Sequence, residues 1–438
     1  MAVKYPRALA VRVLTQVLSD FRSLDDVLAA ESAQLEPEAV SWLYDLCAGT
    51  LRWKGRLDWV LDSLASRKKP SGWLRKILLL STYQLVAQDR APAAQVVSET
   101  VDEIRKMEGE APAKFANACL RKIASQAQEW RNWKYPSSGS ESLEAASVPR
   151  NAAWASLPPW MWNKFLHQRG ADWARAFAEA TLERPRLWIR SRDPAWKGDW
   201  VEPGPVPGSW VQVSAPAQGG GVTRRAGFSE GEWIVQDISS QVLISEVTAA
   251  VRDVLGTAPM TALDLCAAPG GKSVGLAWSG FQVSATEIRP DRVLLLQDTI
   301  RRVAPEIEYL PWEQVAPQDV PAGARRLWDV VWVDAPCSGS GILRRHPDVR
   351  WLRKEQELVA LTQQQKKILR QGWELVKPGG FLVYSVCSVF ADEGQRIISN
   401  FVAESGAESS SLNREWFLSP QQAPYGDGFY AALLHRGL

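Results

Sequence analysis

From Trp233 onward the chain alternates short apolar runs with helical stretches: TALDLC and a glycine turn, QVSATEI and a helix, IEYL, DVVWVDA and a long helix, then GGFLVYSVCS. Apolar strands separated by helices build a parallel sheet covered on both faces, because each parallel crossover needs a long connection and both faces must be hidden from water. Ligands of such sheets bind in the loops at the carboxyl ends of the strands. Residues 236–438 are therefore expected to form a Rossmann-like α/β domain whose chemistry lies just after its apolar runs.

The first 134 residues have a different period. Ala10, Val13, Leu14, Val17 and Leu18 fall at i, i+3, i+4, i+7 and i+8, one apolar stripe of a helix. Similar stripes over Trp42–Leu51, Leu57–Leu64, Leu74–Val86, Ala93–Met107 and Phe115–Ile123, with breaks at Pro37, Gly55, Pro70, Pro92 and Gly109, predict an all-α bundle of six or seven helices. Residues 135–156, with PSSGSESLEAAS at their centre, have the small, polar composition of a linker. Residues 157–235 mix a helical stretch, Pro159–Thr181, with β-like pieces such as LWIRS and WVQVS, and read as a small α+β region. The whole is multidomain, in keeping with 438 residues.

Several function classes are excluded early. No apolar run approaches the roughly 18–20 residues that span a bilayer. The N-terminal MAVKYPRALAVRVL interleaves charge with apolar residues and does not read as a secretory signal, so a cytoplasmic location is expected. Cys47, Cys119, Cys266, Cys337 and Cys387 are far apart, without a CxxC pair and with three histidines in the chain, so neither a disulfide framework nor a metal site is expected. Net charge is +2, so any nucleic-acid footprint must be a local patch. Most of the 22 tryptophans are expected in cores and domain seams.

Two features point to a nucleoside cofactor. The run Leu263-Asp264-Leu265-Cys266-Ala267-Ala268-Pro269-Gly270-Gly271-Lys272-Ser273 leads from a strand through a glycine turn into a helix, where backbone amides can approach a ligand closely. Glu287 ends the next strand, where a carboxylate can accept hydrogen bonds from both ribose hydroxyls. Each alone suits an ordinary loop; together they favour the cofactor. Beyond them, Asp334-Ala335-Pro336-Cys337-Ser338-Gly339 and Tyr384-Ser385-Val386-Cys387-Ser388 each end a strand. Either cysteine alone would be expected as inert packing, since free cysteines are commonly buried. Two of them at strand ends of one sheet are hard to explain that way.

LDLCAAPGGKS, DAPCSGSG and YSVCS resemble motifs of the Sun-type family of RNA cytosine-5 methyltransferases, as do QDISSQ (236–241), RRHPDVRWLRK (344–354) and GDGFY (426–430). GTLRW (49–53), YQL (83–85) and AKFANACLRKI (113–123) are similar to the NusB-like helical domain that precedes the catalytic domain in bacterial members acting on small-subunit ribosomal RNA. The resemblance implies a class I methyltransferase that uses S-adenosylmethionine, acts on RNA as a monomer and forms 5-methylcytosine through a covalent cysteine adduct. It assigns the nucleophile to Cys387, release of the enzyme to Cys337 and contact with cytosine N3 to Asp334. Cys266, Ala267, Ala268, Pro269, Gly270, Gly271, Lys272, Glu287, Arg292 and Asp334 are implied around the cofactor. Two departures stand out: the third strand runs into Leu310-Pro311-Trp312-Glu313, so the usual acidic contact is missing or supplied by Glu313, and Val386 replaces the usual Thr.

The segment 344–354 holds five Lys/Arg and one acid, which makes Arg344, Arg345, His346, Arg350 and Trp351 candidates for tracking phosphates and stacking on a base. A non-catalytic RNA-binding assembly factor and a small-molecule methyltransferase are the competing classes. Retention of both cysteines opposes the first, and the surplus of domains opposes the second.

Overall fold

The computed structural model describes residues 7–64, 69–88, 92–135, 148–213, 221–316, 325–405 and 410–437. The chain divides into two compact units, Met1–Arg184 with Leu343–Glu355, and Pro185–Ile342 with Gln356–Leu438.

The first unit is helical. Its elements are α1 (Arg7–Ser19), α2 (Leu24–Glu31), α3 (Pro37–Leu64), α4 (Gly72–Val86), α5 (Ala93–Glu108), α6 (Glu110–Ser125), α7 (Ala127–Arg131), α8 (Val148–Ala155), α9 (Pro159–Arg169) and α10 (Ala171–Leu182). The stripe of α1 is buried as its spacing requires: Ala10, Val13, Leu14 and Val17 have no exposed surface. Gly55, expected as a break, lies inside an unbroken α3. Its role is close approach, since a Cβ there would stand 2.7 Å from the Cα of Ser156. Of the expected linker, the PSSGSESLEAAS stretch lies outside the described residues, while Val148–Ala155 forms α8, with Trp154 fully buried. The region 157–235 is also divided. Its helices α9 and α10 belong to the first unit and its strands to the second.

The second unit opens with an antiparallel sheet of order β2-β3-β1-β4, from β1 (Trp188–Ser191), β2 (Val201–Pro203), β3 (Ser209–Gln212) and β4 (Trp233–Val235), packed around Trp200, Trp210 and Trp233. After α11 (Ile238–Leu255) come β5 (Thr261–Leu265), α12 (Gly271–Trp278), β6 (Gln282–Thr286), α13 (Pro290–Val303), β7 (Glu308–Tyr309), α14 (Trp312–Val315) and β8 (Trp328–Asp334). The chain then contributes α15 (Val349–Leu352) to the first unit and returns as α16 (Glu357–Glu374), β9 (Val376–Val386), α17 (Gln395–Ser405), β10 (Ser410–Leu418) and β11 (Phe429–Arg436).

The large sheet has the order β10-β11-β9-β8-β5-β6-β7. β7, β6, β5, β8 and β9 run parallel, as expected, whereas β11 pairs with β9 and β10 with β11 antiparallel. Chain order reverses direction across β5 and β8, so the crevice for a ligand opens at the carboxyl ends of those two strands. Among the described residues no helix is long and apolar enough to cross a membrane.

Gly55→Ala tests the close approach in the first unit. An alanine gains about 1 kcal/mol of helix propensity, but overpacking against rigid backbone costs about 1–3 kcal/mol. Urea denaturation is expected to show a net loss of stability, opposite to the gain that an uncrowded helical glycine would give.

Candidate active site

β5 leaves the sheet at Cys266, which takes a left-handed φ of +60° and whose thiol is pushed up to about 12 by burial, keeping it protonated. Gly270, at φ +109°, starts α12 where a Cβ would press within 3.1 Å of Thr299. The turn is held from outside: Gln236 donates through Nε2 to the Gly271 carbonyl at 2.7 Å, and Arg292 donates to the Ala268 carbonyl. Asp237, beside Gln236, caps α11 through Ser239 N–H and accepts from Asp427 N–H, both at 2.9 Å. QDISSQ and GDGFY are thus clamped together as the frame of the glycine turn.

Lys272, on the first turn of α12, reaches Asp334 at the end of β8, with Nζ 2.6 Å from Oδ2. Burial pulls the Lys272 ammonium down, but Asp334 and Asp264 outweigh it and hold its proton more firmly than usual. The other Asp334 oxygen accepts from Ser385 Oγ at 2.8 Å, and Ser385 is itself fixed by Trp332 Nε1 at 2.9 Å. Asp334 stays about a third exposed, at 31%, so it can also meet a ligand.

β8 and β9 pair with Asp334 opposite Ser385, so Cys337 and Cys387 leave adjacent strand ends and their sulfurs lie 3.3 Å apart. Cys387 is partly exposed and Cys337 buried. The hydrogen bond to Cys387, then burial and the charges of Cys387 and Glu393, drive the Cys337 thiol well above its ordinary range. Cys337 therefore keeps its proton, within hydrogen-bond reach of Cys387. Cys47 and Cys119 are buried in the first unit with raised thiols and serve packing.

A cavity of about 650 Å³ opens beside this site, lined by Leu265, Cys266, Glu287, Tyr309, Trp312 and Glu313, and by Lys367 of α16. Glu287 is buried. Its Oε1 accepts from Ile288 N–H at 3.0 Å and Arg289 N–H at 3.1 Å, while Oε2, 3.7 Å from Arg292, has no hydrogen-bond partner. A buried carboxylate oxygen facing a cavity without a donor fits a ligand that brings hydroxyls. Ala267–Lys272 do not line this cavity; they form the turn beside it.

The basic segment stands elsewhere. It belongs to the first unit, where Arg344 and Arg350 are buried and not spread on a surface. Arg350 donates to the carbonyls of Ser156 at 3.0 Å and Thr181 at 2.7 Å, and burial with neighbouring Arg52 and Arg56 lowers it to about 9. Trp351 donates to the Leu51 carbonyl at 2.8 Å and lies under Lys54; His346 pairs with Asp25 at 3.2 Å. Arg345 is the exposed one of the five candidates. Charge density in sequence did not reveal that the Arg350 guanidinium answers buried carbonyls. Glu393 and Gln365, which brace the cysteine loops, also went unsingled, because an acid on a helix approach has no sequence mark of burial.

The profile of the 16S rRNA methyltransferase RsmB/F family matches residues 257–435, and that of the NusB family residues 4–125. Ribosomal RNA small subunit methyltransferase B of Klebsiella pneumoniae (strain 342) is 29% identical over 451 aligned residues, covering 98% of each chain. The crystal structure of PH0851 superposes with a TM-score of 0.69 at 20% identity, covering 99% of this chain and 100% of the other. NSun6 from Pyrococcus horikoshii, solved with SFG, gives 0.52 at 14% identity over 64% of this chain and 98% of its own. Fold and site together define an S-adenosylmethionine-dependent methyltransferase. Residues 257–435 thus form a domain of the 16S rRNA methyltransferase RsmB/F type, and a NusB-family domain precedes it at residues 4–125.

Two substitutions check these assignments. Arg350→Met is expected to lower unfolding free energy in urea by about 2–4 kcal/mol, because two buried carbonyls lose their donor. Burial, with Ser273 opposing and Asp334 adding to it, raises the Asp264 carboxyl to about 7. Its unfolded value is about 3.9, so the stability of the neutral acid is complete below about pH 4 and is lost as pH rises through about 7. Asp264→Asn should lack that loss, so its stability relative to the parent should improve between about pH 5 and about pH 8.

Proposed function

We propose that this enzyme methylates C5 of a cytosine in small-subunit ribosomal RNA through a covalent bond between Cys387 Sγ and C6 of the base. The observation that carries the reading is the 3.3 Å separation of Cys337 and Cys387 beside Asp334. C5 of cytosine is a weak nucleophile, and addition of a thiolate at C6 turns C5 into an enamine carbon. Cys387 supplies that thiolate, Asp334 holds the N3 edge of the ring, and Lys272 and Ser385 orient Asp334. When bound, S-adenosylmethionine supplies the methyl group. Glu287 takes the ribose hydroxyls, Cys266 and the glycine turn border the methionine portion, and Glu313, lining the same cavity, supplies the acidic contact of the third strand. After transfer the C5 proton leaves to a base, its electron pair restores the C5–C6 double bond, and the C6–S bond breaks. Cys337 S–H, 3.3 Å from Cys387, stabilises the departing thiolate.

RNA contact from the basic segment falls to Arg345, whose side chain reaches solvent. The target base must leave its stack to reach Cys387, at a cost of a few kcal/mol that favours a loop.

The reading is tested by trapping. Cys337→Ala should complete addition and methyl transfer but stall before elimination, accumulating a denaturant-resistant protein–RNA band that nuclease removes. Cys387→Ala and the double variant should show no band. An adduct seen only in Cys387→Ala would make Cys337 the nucleophile and overturn the assignment.

A further inference from the structure

Glu393, between β9 and α17, has no exposed surface. Its Oε1 accepts from Ser338 N–H at 2.8 Å and Gln365 Nε2 at 3.0 Å, and its Oε2 from Ser388 Oγ at 2.6 Å and from Ser338 Oγ. Ser338 follows Cys337, and Ser388 follows Cys387. One carboxylate therefore binds the residue next to each site cysteine.

The direction of these bonds is fixed by the carboxylate, whose oxygens only accept. Ser338 Oγ accepts from Ser340 N–H at 3.3 Å and Ser388 Oγ from Phe390 N–H at 3.1 Å, leaving each hydroxyl proton to point at the carboxylate. Gln365 adds a third tie, donating to the Pro336 carbonyl at 2.9 Å as well as to Glu393. The main chain of Glu393 is held in turn by Tyr384 Oη, which donates to its carbonyl at 2.7 Å. Taking an ion from water costs several kcal/mol, and hydrogen bonds at excellent geometry are what offset it. Packing alone needs no carboxylate here; joining two loops that each carry backbone and hydroxyl donors does.

We infer that Glu393 is the positioning residue of the cysteine pair, holding the loops after β8 and β9 so that Cys337 stays in hydrogen-bond reach of Cys387. The inference rests on the proposed reading that both sulfurs serve one cytosine. The charge of Glu393 also helps keep the Cys337 thiol protonated, the state in which it donates to Cys387.

Glu393→Gln preserves shape but leaves one oxygen for four donors. In the full-length protein, three quantities separate positioning from packing: cofactor affinity, steady-state methylation of RNA, and the rate at which diamide closes a Cys337–Cys387 disulfide. In that closure diamide takes up the two thiol hydrogens as the S–S bond forms, so its rate reports sulfur proximity without catalysis. Cofactor affinity should be unchanged, while kcat falls about 100-fold, the usual effect of a displacement near 1 Å. KM for the cofactor should hold, and disulfide closure should slow at least about tenfold. Ser388→Ala, which removes one tie and keeps the carboxylate, should move both readouts the same way by less. Unchanged closure and kcat in both variants would overturn the inference. If Glu393→Gln loses cofactor binding as well, Ser388→Ala decides alone. Slowed closure in an enzyme whose Cys337→Ala form traps no RNA would refute the covalent reading and leave the positioning role standing.

Discussion

The hydrogen-bonded ladder of β5, β8 and β9 is the constraint on which the site depends. Leu265 pairs with Val333, Val333 with Tyr384 and Asp334 with Ser385, so three loops leave the sheet side by side at the point where chain order reverses. Leu263, Leu265, Val331, Val333, Leu382 and Tyr384 pack one apolar face, and Ala262, Val330, Trp332, Phe381 and Val383 pack the other. A slip of one residue would exchange the faces. Two buried faces thus lock the register, and the register sets the distance between sulfurs that are fifty residues apart in sequence.

Buried charge in this protein is answered in two ways. At the carboxyl ends of β5 and β8 it is matched by opposite charge, as in Lys272 with Asp334, where Asp334 remains open to a ligand. Elsewhere several buried charges are matched by neutral groups. Glu393 gathers amide and hydroxyl donors, and Arg52, Arg56 and Arg350 end on main-chain carbonyls of Arg344, Trp154, Ser156 and Thr181. Such neutral pairing is insensitive to salt but strict about direction, which suits parts that must not move.

Where the sequence was informative, local physics carried the message. The strand ends at Cys266, Asp334 and Cys387 were legible because an apolar run followed by Gly, Pro or Cys marks both a buried strand and its exit. The apolar stripes of the first unit were legible for the same reason. Less so were features decided by distant partners: Gly55 reads as a breaker until the backbone of Ser156 is seen against it. FYAALLHR and its neighbour SSLNREWFL form antiparallel strands that the β–α alternation did not anticipate, because a hairpin needs no helical crossover. The clearest divergence is Arg350. Five basic residues in eleven look like a surface for phosphates, yet this guanidinium is fully enclosed.

That enclosure bears on how the chain matures. Domains generally fold as units, N-terminal parts first, while the chain is still being made. Here the helical unit includes Leu343–Glu355, and its Ser156 and Thr181 carbonyls receive their donors from Arg350. Those carbonyls await a partner encoded nearly two hundred residues later, after β5, β6 and β8 have been synthesised. The helical unit therefore reaches its final packing late in synthesis, and a fragment ending at Arg184 lacks the donor of both carbonyls.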